Sequence, residues 1–256
     1  MITTSRKPTQ EMVARAEQIA ADFELPYHRR NKQTITEFHA HHPHVYMVGK
    51  AGKDVVYTKR KEPFFFHPSM ATLRIQRLQN GEADPLVRAS RLVPGDSFLD
   101  VTLGLGSDSI VASFYAGPNG KVIGVEKQPM IASVVQEGLK NWTDDQHPAL
   151  VEAMRRVQVV CVDQRQYLQK QADNSFDVIY MDPMFKQSVQ QSVHLQPLKE
   201  IACYDGLSNE TVQEALRVAK KAVVLKAESQ SSLFDEFGFQ RLDRRRGTVT
   251  YGTIDL

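Results

Sequence analysis

The stretch Ser97-Phe98-Leu99-Asp100-Val101-Thr102-Leu103-Gly104-Leu105-Gly106-Ser107-Asp108 constrains this chain more than any other. It opens as an apolar strand pattern, turns through two glycines and continues as a helical pattern from Ser107 to Tyr115. Glycine lets the backbone take left-handed dihedrals and lets a ligand approach bare main chain. The helix that follows offers unpaired N–H groups and a partial positive charge at its N-terminus. A strand, a glycine turn and a helix in this order form a cradle for a nucleotide-like ligand.

Two nucleotide cofactors use such a turn. A dinucleotide turn reads G-x-G-x-x-G/A, whereas the third position here is Ser109. Asp100 also stands four residues before Gly104, where it would repel a pyrophosphate. S-adenosyl-L-methionine carries no phosphate; its sulfonium and α-ammonium are cationic, so an acid at the strand end attracts it. S-adenosyl-L-methionine is therefore the expected cofactor, and NAD is disfavoured.

The 256 residues, 41% hydrophobic and 24% charged, suffice for one α/β domain with an appendage or for two unequal domains. No apolar run approaches the ~20 residues that span a bilayer, so no membrane partner is expected. The segment Met1 to Gln10 is polar and lacks the apolar core of a signal peptide. Cys161 and Cys203 read as reduced thiols rather than a disulfide framework, in keeping with a cytoplasmic location. The net charge of +2 is unevenly spread. Residues 1–92 hold 15 Lys and Arg against 9 Asp and Glu, net +6, and the remainder holds 17 against 21, net −4. A basic front half suggests a polyanionic partner.

Residues 1–92 are expected to form a small basic α+β module and residues 93–256 a catalytic domain. Thr9 to Phe23 reads as an amphipathic helix capped by Thr9. Thr34 to His39, Val45 to Val48 and Val55 to Thr58 read as short strands, the last two joined by a Gly49-Lys50-Ala51-Gly52 turn. His39-Ala40-His41-His42-Pro43-His44 puts four imidazoles in six residues, but no cysteine accompanies them. It reads as a polar loop, and no metal is expected. Phe64-Phe65-Phe66 follows Lys59-Arg60-Lys61, a mixture that suits nucleic acid, yet at least two of the three rings read as core. Met70 to Asn80 and Asp84 to Leu92 read as helices.

From residue 97 strand and helix patterns alternate, which argues a parallel sheet covered on both faces. Strands fall at Phe98–Thr102, Val122–Val125, Val157–Cys161, Phe176–Met181 and Ala222–Leu225, with helices near 107–115, 129–140, 164–171 and 208–219. Phe239–Leu242 and Thr248–Thr253 then form a hairpin through Arg244-Arg245-Arg246-Gly247. The expected architecture is α/β: a Rossmann-like, seven-stranded, mostly parallel sheet closed by a C-terminal antiparallel hairpin, the pattern of class I methyltransferases.

Ligands of such sheets sit beyond the carboxyl ends of the strands. The first strand presents Asp100 and the Gly104/Gly106 turn. The second ends in Glu126, suited to accept both ribose hydroxyls, and the third in Asp163, suited to the adenine amino group, although any one such acid can equally be a helix N-cap. The fourth ends in Asp182-Pro183-Met184-Phe185. A carboxylate, a proline-stiffened carbonyl and an aromatic ring suit a planar amino group: two acceptors hold its N–H pair while the ring stacks on the base.

Asp100-Val101-Thr102-Leu103-Gly104-Leu105-Gly106-Ser107-Asp108, Glu126-Lys127-Gln128-Pro129 and Asp182-Pro183-Met184-Phe185 resemble the bacterial small-subunit ribosomal RNA guanine-N2 methyltransferase family, and Val223-Val224-Leu225-Lys226 resembles its fifth strand. The similarity runs from about Phe66 to Tyr251. The sequence departs at Lys186, where the family has proline, and at Ala227-Glu228, where it has Arg-Pro. The resemblance implies an S-adenosyl-L-methionine-dependent methyltransferase acting on a guanine amino group in RNA. On that reading Asp182, Pro183 and Phe185 are catalytic, and Asp100, Thr102, Gly104, Gly106, Asp108, Glu126, Lys127 and Asp163 bind the cofactor. Arg29, Arg30, Lys32, Lys59, Arg60, Lys61, Arg74 and Arg77 are then the cations expected to face RNA. The rival readings are a methyltransferase of a small molecule or protein, and a protein that keeps the fold without catalysis.

Overall fold

The computed structural model describes residues 1–59, 62–183, 206–242 and 248–256. They gather into two compact units: residues 1–67 with 128–143 in one, and 68–127 with the described residues from 144 onward in the other. Among the described residues no helix is long and apolar enough to cross a membrane.

The first unit is a four-stranded sheet, β1 (Ile2–Thr4), β2 (Val45–Val48), β3 (Val55–Tyr57) and β4 (Phe64–Phe65), paired in that order. β1 runs parallel to β2 and the other pairs are antiparallel. Helix α1 (Gln10–Asp22) is capped by the Thr9 hydroxyl, which accepts from the N–H of Met12 at 3.2 Å, and buries Met12, Ala16, Ile19 and Ala20. Residues 34–39, expected as a strand, instead form helix α2 (Ile35–His39). The cause is a capping box: Glu37 N–H donates to the Thr34 hydroxyl at 3.2 Å, and Thr34 N–H donates to Glu37 Oε2 at 2.6 Å. The histidine segment therefore joins a helix to a strand, with His39 Nδ1 3.1 Å from the His42 carbonyl. Phe64 and Phe66 are buried and Phe65 is exposed, which fits the two-in-core reading.

The sixth helix of the chain, α6 (Pro129–Asn141), belongs to this first unit. Polar side chains tie it there. The Tyr46 hydroxyl, fully buried, donates to Asp54 Oδ2 at 2.6 Å and lies 2.9 Å from Ser133 Oγ. Arg15 donates to both oxygens of Asp54, to the Gly49 carbonyl and to Glu137 Oε2 at 2.6 Å. A buried carboxylate needs such a partner, because desolvation without a cation costs several kcal/mol.

Among its described residues the second unit carries seven strands: β5 (Ser97–Asp100), β6 (Lys121–Glu126), β7 (Val157–Cys161), β8 (Phe176–Met181), β9 (Ala219–Glu228), β10 (Gln240–Arg241) and β11 (Val249–Asp255). Their order is β10-β11-β9-β8-β5-β6-β7; β11 is antiparallel to both neighbours and the other pairs are parallel. This is the seven-stranded, mostly parallel sheet that the sequence predicts; the Arg244–Gly247 turn lies outside the described residues. Val178, Ile179, Tyr180 and Met181 of β8 are at most 1% exposed, a continuous apolar run as a central parallel strand requires. Each such side chain contributes about 1.5–3 kcal/mol by leaving water.

The helices among the described residues of this unit are α3 (Ser69–Gln79), α4 (Pro85–Ser90), α5 (Ser107–Ala116), α7 (Pro148–Arg156), α8 (Gln164–Gln169), α9 (Asn209–Val218) and α10 (Leu233–Glu236). Two of them, α7 and α10, have no counterpart among the elements expected from the sequence. Yet α7 carries the usual marks, with Pro148 in its first turn and Leu150, Ala153 and Met154 on one buried stripe.

Candidate active site

Register sets the site. β5 and β8 are neighbours with Asp100 beside Tyr180, and β8 and β9 are neighbours with Met181 beside Leu225. One residue further on, Asp182 and Lys226 leave adjacent parallel strands side by side. The glycine turn follows β5. Gly104 and Gly106 take φ of 50° and 74°, which side chains rarely adopt. Leu103 seats the turn: its N–H donates to the Val125 carbonyl at 2.9 Å, and its side chain lies where a Cβ on Gly124 of β6 would be, 2.3 Å from it.

Asp100 is 1% exposed. Its Oδ1 accepts from the N–H of Thr102 at 3.0 Å and from the Thr102 hydroxyl at 3.3 Å, and its Oδ2 accepts from the Ser109 hydroxyl at 2.7 Å. Ser109 is the position that departs from the dinucleotide pattern, and its hydroxyl is what holds Asp100. Burial pushes the Asp100 carboxyl up to about 7 against those hydrogen bonds, with the charges of Asp108 and Asp182 adding to the rise. Thr102 links onward, for its hydroxyl accepts from the N–H of Asp182 at 2.6 Å.

Glu126 ends β6, and its Oε2 accepts from the N–H of Gly104 at 3.2 Å. Lys127 lies 3.2 Å from Asp163 Oδ2, and the other oxygen of Asp163 caps α8 by accepting from the N–H groups of Arg165 and Gln166. Asp163 is thus an N-cap as well as a strand-end acid.

A second cluster adjoins Asp182. The Lys226 ammonium lies 2.8 Å from Asp182 Oδ2 and 2.9 Å from Asp108 Oδ2. The Tyr180 hydroxyl donates to the same Asp108 oxygen at 2.8 Å, while Arg74 donates to Asp108 Oδ1 at 2.5 Å and grips Asp84 with two further N–H groups at 2.7 and 2.8 Å. Arg74, expected to face RNA, is therefore held inside this network with 15% of its side chain exposed. Burial works against the charge on Asp108, but Lys226 and Arg74 outweigh it and hold its carboxyl well below the usual range. Burial likewise works against the Lys226 ammonium, and Asp108 and Asp182 outweigh it. For Asp182 burial raises the pKa, Lys226 opposes the rise and Asp108 adds to it.

The structure thus joins Asp100 to Asp182 through Thr102, ties Asp108 to Asp182 through Lys226, and sets Gly104 against Glu126. Pro183 is buried directly after Asp182, and Phe185 lies outside the described residues. Sequence reading assigns Lys226, Tyr180 and Ser109 no place in the site and sets Arg74 on an RNA-facing surface instead. The available signal was a lysine closing the apolar run Val223-Val224-Leu225 on the strand next to Asp182. Among the described residues no group of three or more His, Cys, Asp or Glu is arranged to hold a metal ion.

A seven-stranded sheet in this order, with its one antiparallel strand second from the edge and acids at the ends of the parallel strands, defines a class I S-adenosyl-L-methionine-dependent methyltransferase. A family model described as "Putative SAM-dependent methyltransferase" matches residues 20–238, and the chain belongs to that family. It is 40% identical over 255 residues to the "Uncharacterized protein YpiP" of Bacillus subtilis, covering 99% of this chain and 98% of that one. It is 26% identical over 230 residues to "Ribosomal RNA small subunit methyltransferase J" of Thioalkalivibrio sulfidiphilus, covering 86% and 85%. With the protein of the same name from Hydrogenovibrio crunogenus the identity is 32% over 151 residues, 57% of this chain and 53% of that one. The crystal structure of a SAM-dependent methyltransferase from Neisseria gonorrhoeae shares the fold, with a TM-score of 0.63 at 14% identity, over 99% of this chain and 95% of that one.

S-adenosyl-L-methionine is the cofactor of this enzyme. The residues present fit it. Among the described residues a Cβ placed on Gly104 would meet nothing nearer than the Thr102 carbonyl at 3.8 Å, which leaves room over the turn beside the Glu126 carboxylate. Among the described residues the network that includes Asp182 joins three carboxylates, Asp84, Asp108 and Asp182, to two cations, Arg74 and Lys226, a balance that favours a cationic ligand over a pyrophosphate.

Proposed function

We propose that this enzyme methylates an exocyclic amino group of a base in ribosomal RNA, guanine N2, in the cytoplasm. The observation that carries the reading is Asp182: Lys226 occupies its Oδ2, while Oδ1 accepts no hydrogen bond among the described residues and 34% of the side chain is exposed. An acceptor fixed at one oxygen, with part of its side chain exposed, suits an N–H donor. The names of the methyltransferase J relatives support the RNA substrate.

On this reading Gly104, Gly106, Glu126, Lys127 and Asp163 hold the nucleoside part of the cofactor, and Asp100, Thr102 and Asp108 shape the end where its methyl group lies. The bound cofactor supplies an activated methyl group. Asp182 Oδ1 and the Pro183 carbonyl then accept the two N–H bonds of the substrate amine, and Phe185 stacks on the base. An aryl amine is a poor nucleophile because its lone pair is delocalised into the ring. Holding its hydrogens out of plane turns that lone pair toward the methyl group, and proximity supplies much of the acceleration. The nitrogen sheds a proton only after the methyl arrives, and Oδ1 stands where it can receive it.

The test is nucleoside mass spectrometry. Small-subunit ribosomal RNA from a deletion strain, incubated with the enzyme and cofactor, should gain N2-methylguanosine. Transfer to no RNA species, with transfer to a small molecule or protein instead, overturns the reading.

A further inference from the structure

The first unit has a cleft of about 630 Å³ on the side of α1 where the chain enters it. Five cations line this cleft, Arg6, Lys7, Arg29, Arg30 and Lys32, and among the described residues no acidic side chain does. None of them is ion-paired with a described residue, whereas the arginines at positions 15, 74, 91, 165, 217 and 241 all are. Concentrated like charge without counter-charge raises local self-repulsion, and the fold gains nothing in stability from it.

The frame of the cleft is tied together by hydrogen bonds. Its two walls are the loop between β1 and α1 and the loop after Pro26, and β1 binds them together. Ile2 N–H donates to the Pro26 carbonyl at 2.8 Å, His28 N–H donates to the Ile2 carbonyl at 2.9 Å, and the Thr3 hydroxyl donates to the His28 carbonyl at 2.8 Å. Arg30 is aimed by its hydrogen bonds to the Gln33 carbonyl at 3.2 Å and Met47 Sδ at 3.1 Å. Lys7, Asn31 and Lys32 have φ of 53°, 42° and 68°, so both walls hold non-glycine residues in the left-handed region. Backbone strain of this kind costs about 1–3 kcal/mol per residue and persists at ligand clamps. Tyr27, half-buried in the same lining, offers a ring.

We propose that this cleft is a binding groove for a single strand of RNA, its phosphates held by the five cations and an unstacked base by Tyr27. Cations tracking a backbone beside an aromatic platform are the means by which proteins hold single strands. The inference rests on the RNA substrate proposed above and adds to it a place of attachment lined by residues of the first unit, none of them among the residues proposed to act on the target base.

The test is fluorescence anisotropy of the intact enzyme with a short fluorescein-labelled single-stranded RNA, over a range of salt concentrations. Arg6→Glu combined with Arg29→Glu, both at exposed positions, should weaken RNA binding at least tenfold. The slope of log affinity against log salt should fall by about 1.4, roughly 0.7 for each phosphate that is no longer neutralised. Arg6→Gln with Arg29→Gln should show a smaller drop in affinity in the same direction. Affinity for S-adenosyl-L-methionine by calorimetry should stay as in the wild type in both variants, which also shows that they fold. If the wild type binds RNA and both variants bind it equally well with the same slope, the cleft is not the groove, although the RNA substrate stands. If the variants keep naked RNA but lose the assembled small subunit, the cleft holds an acidic protein and the proposal fails. If the wild type binds no RNA, the substrate reading falls and the groove with it.

Discussion

Lys226 and Asp182 leave adjacent parallel strands and meet at 2.8 Å, with Asp108 2.9 Å from the same ammonium. One cation thus fixes two carboxylates, one from the end of β8 and one from the first turn of the helix after the glycine turn. The pair also sets the charge of Asp182, whose pKa burial raises and Lys226 restrains.

Lys226→Met should lower the rate of methyl transfer by one to two orders of magnitude, about 1.4–2.7 kcal/mol. With the cation gone, Asp182 takes up a proton at higher pH than before, so the variant should recover part of its rate as pH rises. Lys226→Arg should restore the wild-type pH profile in part. A rate and profile unchanged in Lys226→Met would remove this lysine from any part in positioning Asp182.

Asp182→Ala should cut the rate by two or more orders of magnitude, about 3 kcal/mol of transition-state stabilisation. Cofactor affinity, measured by calorimetry, should change little, because the proposed function assigns this carboxylate to the substrate amine. Asp182→Asn should be milder, since an amide oxygen still accepts one hydrogen bond.

Glu126→Ala should weaken S-adenosyl-L-methionine binding by about 1.5–3 kcal/mol, the usual cost of losing charge-assisted hydrogen bonds to a ligand. Calorimetry with the cofactor and its demethylated product checks this; equal affinity would take Glu126 out of the site.

The Asp100 carboxyl sits near 7 in the folded enzyme and near 4 in the unfolded chain. The folded state therefore keeps a proton that the unfolded state releases. The stability this proton gives is complete below pH 4 and is lost as pH rises through about 7. Between pH 5 and 7 the wild type should lose about 2 kcal/mol relative to Asp100→Asn. Chemical denaturation of both proteins at the two pH values measures the difference, and parallel curves would show that Asp100 does not titrate in this range.

Arg15→Met should destabilise the enzyme by about 3 kcal/mol. It leaves Asp54, whose side chain has no exposed surface, without its cation. Thermal melting should show the effect, and Asp54→Asn combined with Arg15→Met should recover part of it.

Much of this was legible in the sequence because the signals were local. The glycine turn, the acids at strand ends and the near-continuous apolar strands give the sheet, its order of elements and the cofactor. What failed depended on side chains meeting over distance, or on choosing between two local codes. Thr34-Ile35-Thr36-Glu37 alternates like a strand yet spells a capping box, and reciprocal hydrogen bonds to the backbone prevailed over the pattern. Arg74 reads as a surface cation on an exposed helix; only the fold brings Asp84 and Asp108 to it. Nothing near Pro129 shows that α6, flanked in sequence by strands of the large sheet, meets Tyr46 and Arg15 through Ser133 and Glu137.

That last placement governs the order in which the protein can be made. Synthesis runs from the N-terminus, so residues 1–67 emerge with their basic cleft but without Ser133 and Glu137, which complete their polar ties. Those ties cannot form until residue 137 has emerged from the ribosome, by which point β5 and β6, which precede it, have emerged as well. A gene fragment ending at residue 67 encodes an unfinished body, whereas residues 1–143 are the shortest N-terminal stretch that contains all the parts described for it.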